Sequence, residues 1–433
     1  MNPALTLSFV GLLVVAFLID FSPMLRARAQ HAAWTGHNRS CDEFTVVIPL
    51  YGDIRYLSNV DRIRRYGHRV LVSTTTTESP EFYRALGKLA ARHGFQVLRT
   101  DVPRHRRYLC PALVKAGIDA TGTPFVMRLD ADTLPYGDLH QLFGAFITAG
   151  YDVASLRTLP SRHDTVLERL QDLEYSIAMD IRRGYPWLTS GAGYLGKTAV
   201  LRTVLATHTL FSYGEDIELG KLARMMRFRV GHIPFRLYTD VPATPWRWLR
   251  QRIVWAAGSF RHDVVNAHRY SWRHPSYFLY NTVILFLLSP LRWYSVIAVP
   301  WSVPLIVVAY WLFLFTVFWR RRSWILLLFP LYTLVQVMVL TPLGVVAYLA
   351  TAARSRTVGL IRVRQRPVAT PPVRAVAVRR YRDDDVAPSA ALAASLEQYV
   401  PEEGGRRLVR NEETVAIADR RRPRPLNPRA PSR

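Results

Sequence analysis

The sequence predicts an α/β domain set between apolar segments of membrane length. Three observations predict it. Strand-like and helix-like patterns alternate between Asp42 and Arg261, as in a sheet with crossover helices. Long charge-poor runs lie on both sides of that region. Half of the 433 residues are hydrophobic while the formal net charge is +25, so apolar and arginine-rich blocks have to be segregated along the chain.

Residues 4–19, ALTLSFVGLLVVAFLI, carry no charge, and Phe21 to Leu25 extend the run to spanning length. A basic leader and a small-residue cleavage site are both missing, so residues 1–25 are expected to be an anchor and not a signal peptide. Arg26, Arg28 and Arg39 follow, which by the positive-inside rule places the next domain, residues 42–265, in the cytoplasm.

Within that domain FTVVIPLY, RVLVSTTTT, FQVLRT, TPFVMRLDADT and YDVASLRT read as strands. SPEFYRALGKLAARHG reads as a helix, with Ser79 as N-cap, Pro80 at the first position and Gly94 past the end. Sites of such sheets lie at the carboxyl ends of the strands. A second apolar region covers residues 276–352, with Arg292 inside its first candidate span and Arg320, Arg321 and Arg322 ending the second. Its last run, about 29 residues without a charge, exceeds one upright span of about 20. Pro342 divides that run, which reads as a tilted single span or a tight hairpin. A basic tail that stays inside requires an even number of crossings, so the run is expected to be a hairpin. Four crossings here make about five in all. Residues 353–433 mix Arg, Pro, Ala and Glu without apolar periodicity and are expected to be disordered, with basic clusters suited to membrane lipid.

Composition also excludes. Cys41 and Cys110 are the only cysteines, too few and too far apart for a disulfide framework or a thiolate metal site. Only four of the 57 basic residues are lysine. No zinc, helix-turn-helix or RNA-binding signature accompanies the charge, so nucleic acid is not an expected partner.

Four stretches carry chemistry. In RLDADT, Asp130 and Asp132 leave the end of an apolar strand together. A divalent cation on a diphosphate takes one or two such carboxylates plus the phosphates. An acidic turn gives the same pattern. In FSYGEDIELG, Glu215 and Asp216 precede a short helix with Leu219, Leu222 and Ala223 as its buried side. A carboxylate here can act as a general base, or simply favour the helix dipole. TSGAGYLGK offers glycines for close backbone approach but not the P-loop spacing. TPWRWLRQRIVW sets Trp246, Trp248 and Trp255 among Arg250, Gln251 and Arg252, which suits sugar stacking and phosphate binding as well as an interfacial belt.

The order of these motifs resembles the membrane-integrated family 2 glycosyltransferases, the group of hyaluronan, chitin and cellulose synthases and the rhizobial chito-oligosaccharide synthase. WAAGSFRHDVV especially resembles hyaluronan synthases, and the likeness covers roughly residues 44–265. The resemblance implies a GT-A fold in the bacterial plasma membrane, a nucleotide sugar (UDP-linked as a rule), and Mg²⁺ or Mn²⁺. It assigns nucleotide-sugar contact to Asp130 and metal ligation to Asp132. Asp216 becomes the base, supported by Glu215. Gln251, Arg252 and Trp255 fall at the diphosphate and acceptor. Transfer is then single-step and inverting, onto a growing β-linked polysaccharide or a lipid-linked acceptor. Where the family has an aspartate after its second strand, this chain has Ser73 to Thr77 with Glu78 as a substitute; Arg106 and Arg107 stand for a usual lysine, and Val254 stands for the Q-x-x-R-W arginine. The hyaluronan-synthase W-G-T-R segment has no match. A non-processive transferase acting on a lipid carrier and a non-catalytic membrane scaffold are the alternatives.

Overall fold

The computed structural model describes residues 40–102, 106–210, 214–265, 293, 296–298, 300–318, 323–354 and 374–380. The expected anchor at residues 1–25, most of the apolar stretch before residue 300 and most of the tail lie outside them.

The strands are β1 (Phe44–Pro49), β2 (Val70–Thr75), β3 (Gln96–Asp101), β4 (Phe125–Leu129), β5 (Leu134–Tyr136), β6 (Val153–Pro160), β7 (Gly193–Lys197), β8 (Val230–Thr239) and β9 (Arg374–Arg380). They form one sheet in the order β5-β8-β6-β7-β4-β1-β2-β3-β9. Strands β3, β2, β1 and β4 are mutually parallel. β7 then runs antiparallel between β4 and β6, and β8 is parallel to β6. The expected α/β class therefore holds, as a mixed sheet.

Alternation explains the layers. Val46 and Ile48 of β1 belong to one apolar cluster and Val47 to the other, because successive strand side chains leave opposite faces. On the first face pack α1 (Pro80–His93) and α3 (Leu139–Ala149), through Phe82, Leu86, Phe143 and Phe146. On the second pack α2 (Arg106–Ala120), α5 (Thr198–Thr207) and α6 (Glu215–Met225), through Val114, Leu201 and Leu222. α1 keeps its expected caps: Ser79 Oγ accepts from Phe82 N–H, and Gly94 takes a left-handed φ of 71°, a conformation glycine adopts freely.

A third apolar cluster joins α4 (Val166–Gly184) and α7 (Pro245–Val265) to α8 (Ser302–Phe318) and to a long helix, α9. α9 runs unbroken from Ile325 to Ala353 and is the one helix among the described residues long and apolar enough to cross a membrane. The hairpin expected at Pro342 is thus replaced by a single helix. A proline lacks the N–H that would bond the carbonyl four residues back, but Gln336–Leu340 is a π-helical turn, and Trp293 Nε1 donates to the Met338 carbonyl instead at 2.9 Å. With its orphan acceptor satisfied, the helix continues.

The tail is also corrected in part. Residues 374–380, expected to be disordered, pair antiparallel with β3. RAVAVRR alternates alanine and valine between flanking arginines, and the free edge of β3 presents unpaired backbone groups that such a segment can satisfy.

Candidate active site

The cavity of interest has a volume of about 420 Å³, within the usual range for small-molecule sites. Its walls come from the end of β4, the α6 N-terminus, the glycine loop before β7, and one face each of α4 and α7.

Asp130 and Asp132 leave β4 in a turn fixed by its backbone. Thr133 N–H donates to the Asp130 carbonyl at 3.1 Å. The fully buried Asn59 donates through Nδ2 to the carbonyls of Asp130 and Thr133 at 2.9 and 3.0 Å. Arg128 lies two residues before Asp130 and so on the same strand face. It is 3% exposed, and its Nη2 is 2.8 Å from Asp130 Oδ1. Burial nevertheless pushes the Asp130 carboxyl up to about 6, against the opposing pull of Arg128 and with help from Asp132 and Asp216. The Asp132 carboxyl is raised as well, by burial and by the charge of Asp240.

Glu215 and Asp216 open α6, and Leu219, Leu222 and Ala223 form its buried side as expected. Several groups hold this helix start. Thr189 Oγ1 donates to the Asp216 carbonyl. His208 Nδ1 accepts from Leu210 N–H at 2.8 Å, so its Nε2 carries the proton given to the Glu215 carbonyl, also at 2.8 Å. One turn on, the buried Glu218 pairs with Arg261 of α7 at 3.2 Å. Gly191 is a close-approach position: a Cβ there would meet Arg128 Nη1 and Asp216 Oδ2, each at 3.4 Å. Glu215 is pushed up to about 8 by burial first and by neighbouring Asp216 second.

α7 contributes Gln251, Val254, Trp255 and Ser259 to the cavity wall, a spacing that selects one helical face. Arg252 points off that face. It is 4% exposed and pairs with Glu174 of α4 at 2.7 Å, with its guanidinium 4.2 Å from the Trp255 ring centroid.

Asp130, Asp132, Glu215, Asp216, Gln251 and Trp255 therefore meet in one cavity. Arg252 does not line it. Glu78 does not either: it stands just past β2, where its carboxylate accepts from Thr75 Oγ1 at 3.3 Å. Arg106 and Arg107 are the first two residues of α2, and their side chains lie outside the described positions. Residues the sequence reading missed are Arg128, Glu174, Tyr175, Arg182 and Asp240, all in the cavity wall. Arg128 had a signal, a lone charge in the apolar strand FVMRL. Asp240 directly follows the alternating β8, while the α4 residues carry no pattern that marks them.

The donor set suits a hard divalent cation: carboxylate oxygens on a turn at a strand end. Among the described residues no three His, Cys, Asp or Glu groups converge enough to hold an ion by themselves. Arg128 Nη1 and Gln251 Oε1 are buried without a hydrogen-bond partner, groups that a bound ligand can satisfy.

Residues 125–353 match the model of glycosyl transferase family group 2. No curated protein sequence matches the chain. Among solved structures, the mannosyltransferase PcManGT of Pyrobaculum calidifontis, in complex with GDP-Man and Mn²⁺, is similar with a TM-score of 0.46 at 15% identity, covering 63% of this chain and 78% of that one. TarS of S. aureus in complex with UDP-GlcNAc gives 0.34 at 13% identity, over 53% of this chain and 73% of that one. Because the family model covers just over half of the residues, and every residue lining the cavity falls inside it, the chain belongs to glycosyl transferase family group 2.

Proposed function

We propose that the protein is an inverting, membrane-bound GT-A glycosyltransferase that moves a sugar from a nucleotide-diphospho-sugar to a growing β-linked polysaccharide. The observation that carries this reading is the convergence of the β4 turn, the α6 carboxylates and the α7 indole on one cavity.

Asp130 and Asp132 take the donor side. Asp132, with Asp130 beside it, holds Mg²⁺ or Mn²⁺, which neutralises charge on the departing nucleotide diphosphate when bound. Arg128 keeps Asp130 ionised and oriented. Asp216 accepts the proton of the acceptor hydroxyl, whose oxygen attacks the anomeric carbon from the face opposite the leaving diphosphate. Burial and the neighbouring Asp216 raise the Glu215 carboxyl and favour its neutral form, which suits Glu215 to support Asp216 in the base role. Trp255, 44% exposed and backed by Arg252, offers its other face to the acceptor sugar.

Exposed Leu305 and Leu312 on α8, and Leu327, Leu331, Val335 and Val346 on α9, support the membrane reading, since apolar stripes of this extent need a covering phase. At about 1.5 Å per residue, α9 exceeds the hydrocarbon thickness of about 30 Å. Incubation of the purified chain in detergent with Mn²⁺ and labelled UDP-, GDP- or dTDP-sugars tests the whole proposal. Long polydisperse product supports it. A single-sugar lipid product would establish the non-processive alternative, and no nucleotide release from any donor would leave a scaffold.

A further inference from the structure

We propose that Glu174 is a positioning residue: it fixes the Trp255 platform through Arg252 and ties that platform to α9 through Tyr332. The inference rests on the reading of Trp255 as the acceptor platform, and its physical core can be tested without that reading.

One carboxylate oxygen does both jobs. Glu174 Oε2 accepts from Arg252 Nη2 at 2.7 Å and from Tyr332 Oη at 2.6 Å. Tyr332 Oη in turn accepts from Trp248 Nε1 at 2.9 Å. The chain Trp248–Tyr332–Glu174–Arg252 thus links α7 to α9, crosses to α4, and returns to α7 one turn from its start. Its last member lies 4.2 Å from the Trp255 centroid, and Tyr175, the neighbour of Glu174, places its ring 6.2 Å from the same indole.

The chemistry explains why these residue types are needed. Arg252 is almost fully buried and cannot shed its charge, so its position is set by whichever carboxylate compensates it. Gln171 Oε1 adds only a long contact of 3.5 Å. Without Glu174 the guanidinium loses its counter-charge, and with it the reason to stay over the indole. Tyr332 carries its hydroxyl on a largely apolar helix, so the position of α9 decides whether Glu174 keeps its second donor. Further along α9, Gly344 seats directly on α7: a Cβ there would lie 2.5 Å from Ala256 Cβ and 2.8 Å from Ala257 N. α9 is therefore docked on the platform helix at two points, one polar and one steric. Movement of α9 is read at the cavity as movement of Trp255.

The test uses the full chain in detergent, labelled with 5-fluorotryptophan, the Trp255 resonance being assigned by its loss in Trp255→Phe. Tyr332→Phe keeps the ring and removes one hydroxyl, so it tests the same link even if Glu174→Gln lowers the yield of folded protein. Both variants are expected to shift the Trp255 fluorine resonance. Both should raise the acceptor KM about threefold to tenfold, the effect of one lost hydrogen bond, while the donor KM stays within about twofold. The double variant should be no worse than Glu174→Gln alone. An unmoved Trp255 resonance in both variants would overturn the proposal, as would equal changes in donor and acceptor KM, or a lowered Tm with both KM values unchanged. Absence of transfer by the wild type with every donor would sink the proposed function instead, and the resonance would still decide the link.

Discussion

On the β4 side of the cavity, Asp130 and Asp132 ride on a turn pinned by backbone bonds and the buried Asn59. On the α7 side, Gln251 and Trp255 ride on a helix held by side chains, Arg252 to Glu174 and Trp248 to Tyr332. The first wall is fixed by bonds among β4, the turn after it and Asn59. The second is fastened to the apolar helix α9, and so to whatever surrounds that helix. A transferase that grips its donor rigidly while letting the acceptor platform sense the membrane region would be built in this asymmetric way.

Several substitutions can break or sharpen that contrast. The largest effect is expected at the carboxylate between the walls: Asp216→Asn should lower kcat by about 10²–10⁴-fold, read as nucleotide release under saturating donor, without loss of donor binding. Trp255→Ala comes next. It should cost about 10-fold to 100-fold in kcat/KM for acceptor, in line with about 1–3 kcal/mol per stacked ring, and full activity would return Trp255 to the role of an interfacial anchor. Arg128→Leu attacks the rigid wall. It removes the compensation of Asp130, and because about a third of the Asp130 side chain is accessible, the loss should be about 1–3 kcal/mol, measured by thermal unfolding.

The pH dependence gives a smaller, signed effect. The Glu215 carboxyl sits at about 8 in the folded chain against 4.5 for the free side chain. The folded state therefore binds the extra proton, and this contribution is full below about pH 4.5 and lost as pH rises towards 8. Glu215→Gln should flatten the fall of Tm between pH 5 and 8, and a variant with the wild-type slope would move the titration elsewhere. The smallest effect is expected for Val254→Arg. Val254 already faces the cavity, so an arginine there adds a cation without disturbing the buried Arg252–Glu174 pair, and activity should stay within about threefold or rise.

How much of this was legible in the sequence follows from the range of the interactions. The strand runs and the caps of α1 are local, and Ser79, Pro80 and Gly94 marked its ends directly. The D-x-D turn and the α6 start could be found because each is a short run at the end of an element. Strand order is not local. Glu78 follows β2 in the chain much as Asp130 follows β4, but β2 lies beyond β1 and Glu78 stays out of the cavity wall. Arg252 reads like a phosphate ligand beside Gln251, yet its partner is 78 residues away on α4. Pro342 reads as a break because the compensating donor to Met338, Trp293, is 45 residues distant. The missed residues of α4 share this cause, since nothing in VLERLQDLEYSIAMDIRRG announces which face meets α7.

The ladder between β3 and β9 has a consequence for the order of synthesis. β9 is the last strand among the described residues but the neighbour of the third, and α8 and α9 lie between the cavity-forming segments and it. A ribosome therefore releases the eight described strands β1–β8, then the apolar helices, and only afterwards the residues that pair with β3. During that interval the β3 edge stands open, a template for any other strand nearby. The catalytic sheet is completed from the far side of the apolar region, and its final hydrogen bonds form only once those helices have left the ribosome.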